Sequence, residues 1–136
     1  MRVAVLFFGG GKREKTAEIA RGLAAGLEKD GHHVDVIDGD RDVNAKLTMY
    51  EYLVIGTAAV SSFRGRIDPR IKEYLSGAGM VGGKKCFTFL VDSLFGSQRG
   101  LRNLMAAVEH EGVFIRFSEV LRSREEAEVL ANRLKL

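Results

Sequence analysis

Short runs of β-branched and aromatic residues alternate along this chain with segments whose apolar residues recur every three to four positions, and that alternation admits few folds. Consecutive strands joined through a helix pair side by side only by a crossover, which makes them parallel and lays the helix on a face of the sheet. The first run, Arg2 to Phe8, is almost wholly apolar, as a strand covered on both faces must be. Ile19, Leu23 and Leu27 then return every four residues among Ala, Glu, Arg and Lys, the mark of a helix with one buried stripe. Asp30 and Gly31 supply its stop.

The same reading continues to the end of the chain. His33 to Ile37 alternates polar with apolar and reads as a strand nearer an edge, whereas Tyr52 to Gly56 reads as a buried one. Asp68 and Pro69 open a helix that reaches Leu75. Lys85 to Val91 is the fourth strand, and Leu101, Leu104, Met105 and Val108 predict a helix from about Gln98 to Glu111, ended by Gly112. Val113 to Phe117 is the fifth strand. Ser123, followed three residues later by Glu126, is a capping box for a last helix that buries Ala127, Leu130, Ala131 and Leu134. The crossover from Gly39 to Tyr50 shows little helical pattern and is expected to hold no more than a turn.

Composition narrows the class. A chain of 136 residues is expected to form one domain over 1–136, and 46% hydrophobic with 29% charged residues excludes disorder throughout. No apolar run nears the roughly 18 residues of a membrane span, and Val3 to Phe8 is too short for a secretory leader, so a soluble, cytoplasmic protein without membrane insertion is expected. The single cysteine, Cys86, excludes an intramolecular disulfide. The net charge of +3 comes from basic residues spread over many segments, with no nucleic-acid motif beside them, so no dedicated nucleic-acid binding is expected.

In a doubly wound sheet, ligands bind outside the carboxyl ends of the strands, where the strand order reverses. Three loops end there: Gly9 to Thr16, Thr57 to Arg66, and Asp92 to Arg99. The first runs from glycines into a helix start, where free amides and the positive dipole end favour an anion, with Lys12, Arg13 and Lys15 adding charge and Thr16 a hydroxyl. A solvated turn without a ligand is the competing reading. Gly9, Lys15 and Thr16 also stand in register with a nucleotide-triphosphate loop, but Glu14 replaces its second glycine and would repel a cradled phosphate, so that match is read as false.

The whole-chain pattern resembles the flavodoxin family from Arg2 to about Leu134. The resemblance is carried by Val3 to Phe8, by the helix opening at Lys15, Thr16, Ala17 and Glu18, and by Tyr50 to Thr57 with the later helix ending Glu73, Tyr74, Leu75. Gly83-Lys84-Lys85, the Gly96 to Leu101 spacing and Ser123 to Ala127 extend it. It implies an α/β three-layer sandwich with five parallel strands in order 2-1-3-4-5, holding FMN noncovalently and exchanging electrons with a redox partner protein or a small-molecule acceptor. It further implies that Gly9, Gly10, Gly11, Lys12, Arg13, Lys15 and Thr16 receive the phosphate. Thr57, Ala58, Ala59, Val60, Ser61 and Phe63, with Asp92, Ser93, Leu94, Phe95 and Gly96, would flank the isoalloxazine ring. No side chain is needed as acid, nucleophile or metal ligand.

The chain also departs from that family. Lys12, Arg13 and Glu14 stand where it carries hydroxyl residues, and flavodoxins are strongly acidic, whereas Lys12, Arg13, Arg64, Arg66 and Arg99 are expected to gather at this site and favour an anionic reduced flavin. A second reading therefore stays open: a binding or regulatory module on the same scaffold that has lost FMN or takes another phosphate-bearing ligand. Ser61, Ser62 and Ser93 are read as hydrogen-bonding loop residues, Cys86 as a core residue, and His32 and His33 as solvated. Asp92 is read either as an acceptor for the flavin or as a cap for its own loop and the helix that follows.

Overall fold

A strand apolar on both faces belongs at the centre of a sheet. In the computed structural model, which describes residues 1–61 and 63–136, β1 (Arg2–Phe8) buries every residue from Val3 to Phe8. It pairs in parallel with β2 (His33–Asp38) on one side and β3 (Tyr52–Thr57) on the other. β4 (Lys85–Val91) pairs with β3, and β5 (Phe114–Leu121) with β4, so the five-stranded parallel sheet has the order β2-β1-β3-β4-β5. Half-exposed β2 takes an edge, as its alternating pattern requires. β5 runs four residues beyond Phe117, because its polar positions, among them Glu119, lie exposed on the other edge while Val120 and Leu121 are buried.

Two cores follow from the period of two. Val3, Val5 and Phe7 meet Ile19, Leu23 and Leu27 of α1 (Arg13–Lys29), together with Ala127 and Ala131 of α4 (Arg124–Arg133). Ala4, Leu6 and Phe8 face Ile71 and Leu75 of α2 (Arg70–Ser76) and Leu104 and Val108 of α3 (Ser97–Glu109). Each of Ile19, Leu23 and Leu27 is fully buried, a stabilisation of about 1.5–3 kcal/mol apiece.

The seam between α1 and α4 depends on missing side chains. A Cβ on Gly22 would come within 2.6 Å of the Arg124 carbonyl oxygen, and one on Gly26 within 2.5 Å of the Ala131 Cβ. These mid-helix glycines, costly to a lone helix, let the two backbones approach. Ser123 caps α4 through the Glu126 amide at 3.1 Å, while Glu126 accepts from the Arg122 amide at 3.2 Å. Asp68 accepts from the Arg70 amide at 2.9 Å at the start of α2. Between β2 and β3 the chain makes turns only, among the described residues. No helix is long and apolar enough to cross a membrane, among the described residues.

Candidate functional site

Only Gly9 to Lys12 separate β1 from α1. Gly10 takes φ +57°, and a Cβ there would lie 1.9 Å from the Ala58 carbonyl oxygen; one on Gly11 would lie 2.6 Å from that of Ala59. The first loop thus rests backbone to backbone on the second, an approach open to glycine alone. The Lys12 amide donates to the Gly9 carbonyl at 3.1 Å, closing a turn that aims α1 at the sheet edge. No side chain caps α1 at Lys12, and among the described residues the amides of Gly10, Gly11, Arg13 and Glu14 find no acceptor. An uncapped helix start led by glycines has the donor chemistry for an anion.

The hydroxyls on either side are turned inward. Thr16 is fully buried and donates to the Lys12 carbonyl at 2.7 Å, because α1 begins at Arg13 and places Thr16 four residues after Lys12. Thr57 is buried and donates to the Phe8 carbonyl at 2.8 Å. Both brace the loops instead of opening toward them. Lys12 reaches across the edge to the Asp92 carbonyl at 3.0 Å, so it spans the first and third loops. Lys15 lies on the β2 side, with Glu18, Asp38 and Arg41 around a depression of about 450 Å³.

Arg13 is committed as well. It pairs with Asp38 and, at 3.0 Å, with Asp40, whose carboxylate also accepts from the Gly9 amide at 2.9 Å and faces Arg70 at 3.3 Å. Arg70 pairs in turn with Asp68 at 2.6 Å. Burial pushes the Asp38 pKa up, but the Arg13 hydrogen bond, the Asp40 amide and the charges of Arg13 and Arg41 outweigh it and hold the carboxyl below its ordinary value. The Arg70 side-chain hydrogen bond, against the effect of burial and with help from the Arg70 amide and charge, holds Asp68 low. Arg13 therefore belongs to a closed ion network and not to a cationic rim around the loop.

The second and third loops meet above this edge. Val60 donates to the Arg66 carbonyl at 2.7 Å, Gly65 to that of Ser61 at 3.1 Å, and Asn103 from α3 to that of Gly65 at 2.9 Å. In the third loop, Ser93 donates to the Phe95 carbonyl at 2.8 Å and Ser97 to Asp92 at 2.9 Å, while Arg122 pairs with Asp92 at 3.3 Å. The Asp92 carboxylate binds the first residue of α3 and Arg122, which follows β5. Gly96 follows with φ +75°. The rings of Phe63 and Phe95 stack on each other, centroids 5.2 Å apart and planes within 11°. Ser62, read from sequence as a hydrogen-bonding loop residue, lies outside the described residues.

Sequence reasoning missed Asp40, Asn103, Ser97 and Arg122, which hold the three loops in place. Asp40 had one signal, its position just past the end of the second strand, two residues after Asp38. Cys86 is wholly buried, and burial pushes its thiol pKa up, which leaves it without thiolate character.

No family model matches the chain, and no curated protein matches it in sequence. Solved structures do match its fold. Oxidised flavodoxin 1 from Bacillus cereus aligns with 99% of this chain and 100% of its own at 16% identity, with a TM-score of 0.74. Two-electron reduced Megasphaera elsdenii flavodoxin covers 96% of this chain and 99% of its own at 17% identity and 0.69. A flavodoxin described as WrbA-like, from Agrobacterium tumefaciens, covers 97% and 93% at 17% identity and 0.65. Strand order, helix placement and these end-to-end alignments agree: the chain has a flavodoxin-like α/β fold.

Proposed function

We propose that this chain, as a single domain, binds FMN noncovalently at the carboxyl edge of its sheet and transfers electrons, as a carrier or as a small reductase. The supporting observation is the parallel Phe63 and Phe95 pair carried on the two loops that an uncapped, glycine-led helix start contacts through Gly10, Gly11 and Lys12. An aromatic pair and an anion-binding helix terminus match the two ends that a flavin mononucleotide presents, its ring and its phosphate. In this reading the amides of Gly10, Gly11 and Arg13, with the Lys12 ammonium, hold the phosphate. Ala58, Ala59, Val60 and Phe63 face the ring on one side, with Ser93, Leu94, Phe95 and Gly96 on the other. Thr16 and Thr57 act by holding the loops. The flavin supplies the redox chemistry when bound; the protein orients it and sets its electrostatics. A redox partner protein or a small-molecule acceptor receives the electrons.

A ring between the two phenylalanines needs two contact layers of about 3.5–4 Å each, so a pair whose centroids lie 5.2 Å apart must part by at least about 2 Å. That pairing favours a second reading, a module on this scaffold that no longer takes up FMN. Titration with FMN decides between them. Saturable binding that quenches flavin fluorescence is expected, with Lys12→Ala weakening FMN about tenfold while leaving riboflavin, which lacks the phosphate, unaffected. Protein that purifies colourless and takes up no added FMN overturns the first reading.

A further inference from the structure

The positive surplus of this chain has one address. Segments 57–66 and 92–103 carry Arg64, Arg66, Arg99 and Arg102 against a single acid, Asp92. Of the 21 basic and 18 acidic residues, 17 of each remain elsewhere, so these two loops hold the entire excess of three charges. The strand order predicts Arg64, Arg66 and Arg99 at this edge, and Arg102 joins them from α3. The Gly65 backbone sits against Gly100 and the Arg99 carbonyl carbon, which brings Arg64 and Arg66 beside Arg99. Arg99 and Arg102 border, with Phe63 and Phe95, a shallow cavity of about 490 Å³. All four arginines are exposed and, among the described residues, none joins an ion pair. Asp92 is already held by Arg122.

On the same two loops lies apolar surface that a solvated loop does not require. Val60 is 51% exposed, Phe63 72%, Leu94 89% and Phe95 53%. Apolar side chains clustered inside a charged rim mark a recognition surface. We infer that the second and third loops form a docking face for an acidic protein, whose carboxylates pair with Arg64, Arg66, Arg99 and Arg102 around an apolar contact on Phe63, Leu94 and Phe95. The chemistry of the cations favours a protein. Every basic residue in the two segments is arginine, which binds carboxylates through a two-pronged fork and is enriched with aromatic residues at protein interfaces, where lysine is depleted. The frame is firm, since Asn103 and the Val60 to Arg66 hydrogen bond pin the loop that presents two of the arginines. This surface surrounds the aromatic pair of the proposed flavin site, so the inference rests on that reading for its meaning as a redox interface and names the charge of the partner.

The test uses the full chain with four fluorescent probes: a peptide alternating Glu and Leu, an all-Glu peptide, a uridine homopolymer and vesicles containing phosphatidylserine. The Glu and Leu peptide is expected to bind most tightly and to weaken as salt is raised. Binding is expected to fall at least about tenfold in the variant carrying Arg64→Gln, Arg66→Gln, Arg99→Gln and Arg102→Gln, with an unchanged circular dichroism spectrum. Phe63→Ala, which spares every charge, is expected to remove the preference for the leucine-containing peptide. Equal peptide binding by the four-arginine variant overturns the inference, as does tighter binding of the wild type to RNA or to vesicles. FMN uptake is measured separately: wild-type protein that binds the peptide but not FMN overturns the redox reading alone, and protein that binds FMN but not the peptide overturns the docking face alone.

Discussion

Arg13 and Arg70 on the β2 flank, and Arg64, Arg66, Arg99 and Arg102 on the β4 flank, occupy the same carboxyl edge of one sheet in opposite circumstances. The first two are locked to Asp38, Asp40 and Asp68, three carboxylates that are themselves largely buried. The other four join no ion pair among the described residues, and two of them, Arg99 and Arg102, border exposed Phe63 and Phe95. The same side chain thus tightens the scaffold on one flank and is left available on the other. Residue type alone does not separate the two roles; what separates them is whether the fold delivers an acid to the guanidinium.

The sharpest way to break this contrast is to remove the acid at its centre. Asp40→Ala takes an acceptor from the Gly9 amide, Arg13 and Arg70 at once, and is expected to cost about 1.5–3 kcal/mol in denaturant unfolding. Arg102→Ala on the opposite flank is expected to change the same measurement by no more than about 0.5 kcal/mol. Equal losses at the two positions would dissolve the distinction.

Acid is the next probe. Asp38 and Asp68 are held below the ordinary carboxylate range, so the stability they contribute is fully present above about pH 4 and is lost as pH falls through their lowered folded-state values. The thermal midpoint is expected to drop on acidification, and a variant with Asp38→Asn and Asp68→Asn is expected to show a flatter profile with a lower plateau at neutral pH. The smallest effect expected is that of salt. Screening relieves repulsion among the four unpaired arginines, so the thermal midpoint of the wild type should rise slightly with sodium chloride and that of the four-glutamine variant should not.

The fold was legible because its signals are local. β1 and β4 have the bounds their apolar runs predict, and the crossover without helical pattern contains only turns among the described residues. β5 extends past its apolar segment because an edge strand tolerates Ser118 and Glu119, which dilutes the period in the sequence. The three loops could be identified from strand order, but the roles of their side chains could not. Whether the Thr16 hydroxyl points outward depends on where α1 starts, and a start at Arg13 turns it toward the Lys12 carbonyl. Whether Arg13 is available depends on the end of β2 lying beside the start of α1, a contact between residues 25 positions apart. Asp40 and Asn103 act on backbone groups of distant loops, and a backbone amide or carbonyl leaves no mark in a sequence.

The seam of Gly22 and Gly26 with Ala127 and Ala131 also has a temporal side. Of the two helices that close this core, α1 is synthesised well before α4, with Gly26 and Ala131 about 100 residues apart. At roughly 5–20 residues per second, the small-residue face of α1 waits roughly 5–20 s on the ribosome before α4 exists to cover it. During that interval the sheet can pair β1, β2 and β3 while one of its two faces lacks its second helix. Completion of the core is thereby tied to the arrival of residues 124–133, and a nascent chain halted before them keeps an unsealed apolar surface that chaperones and proteases can recognise.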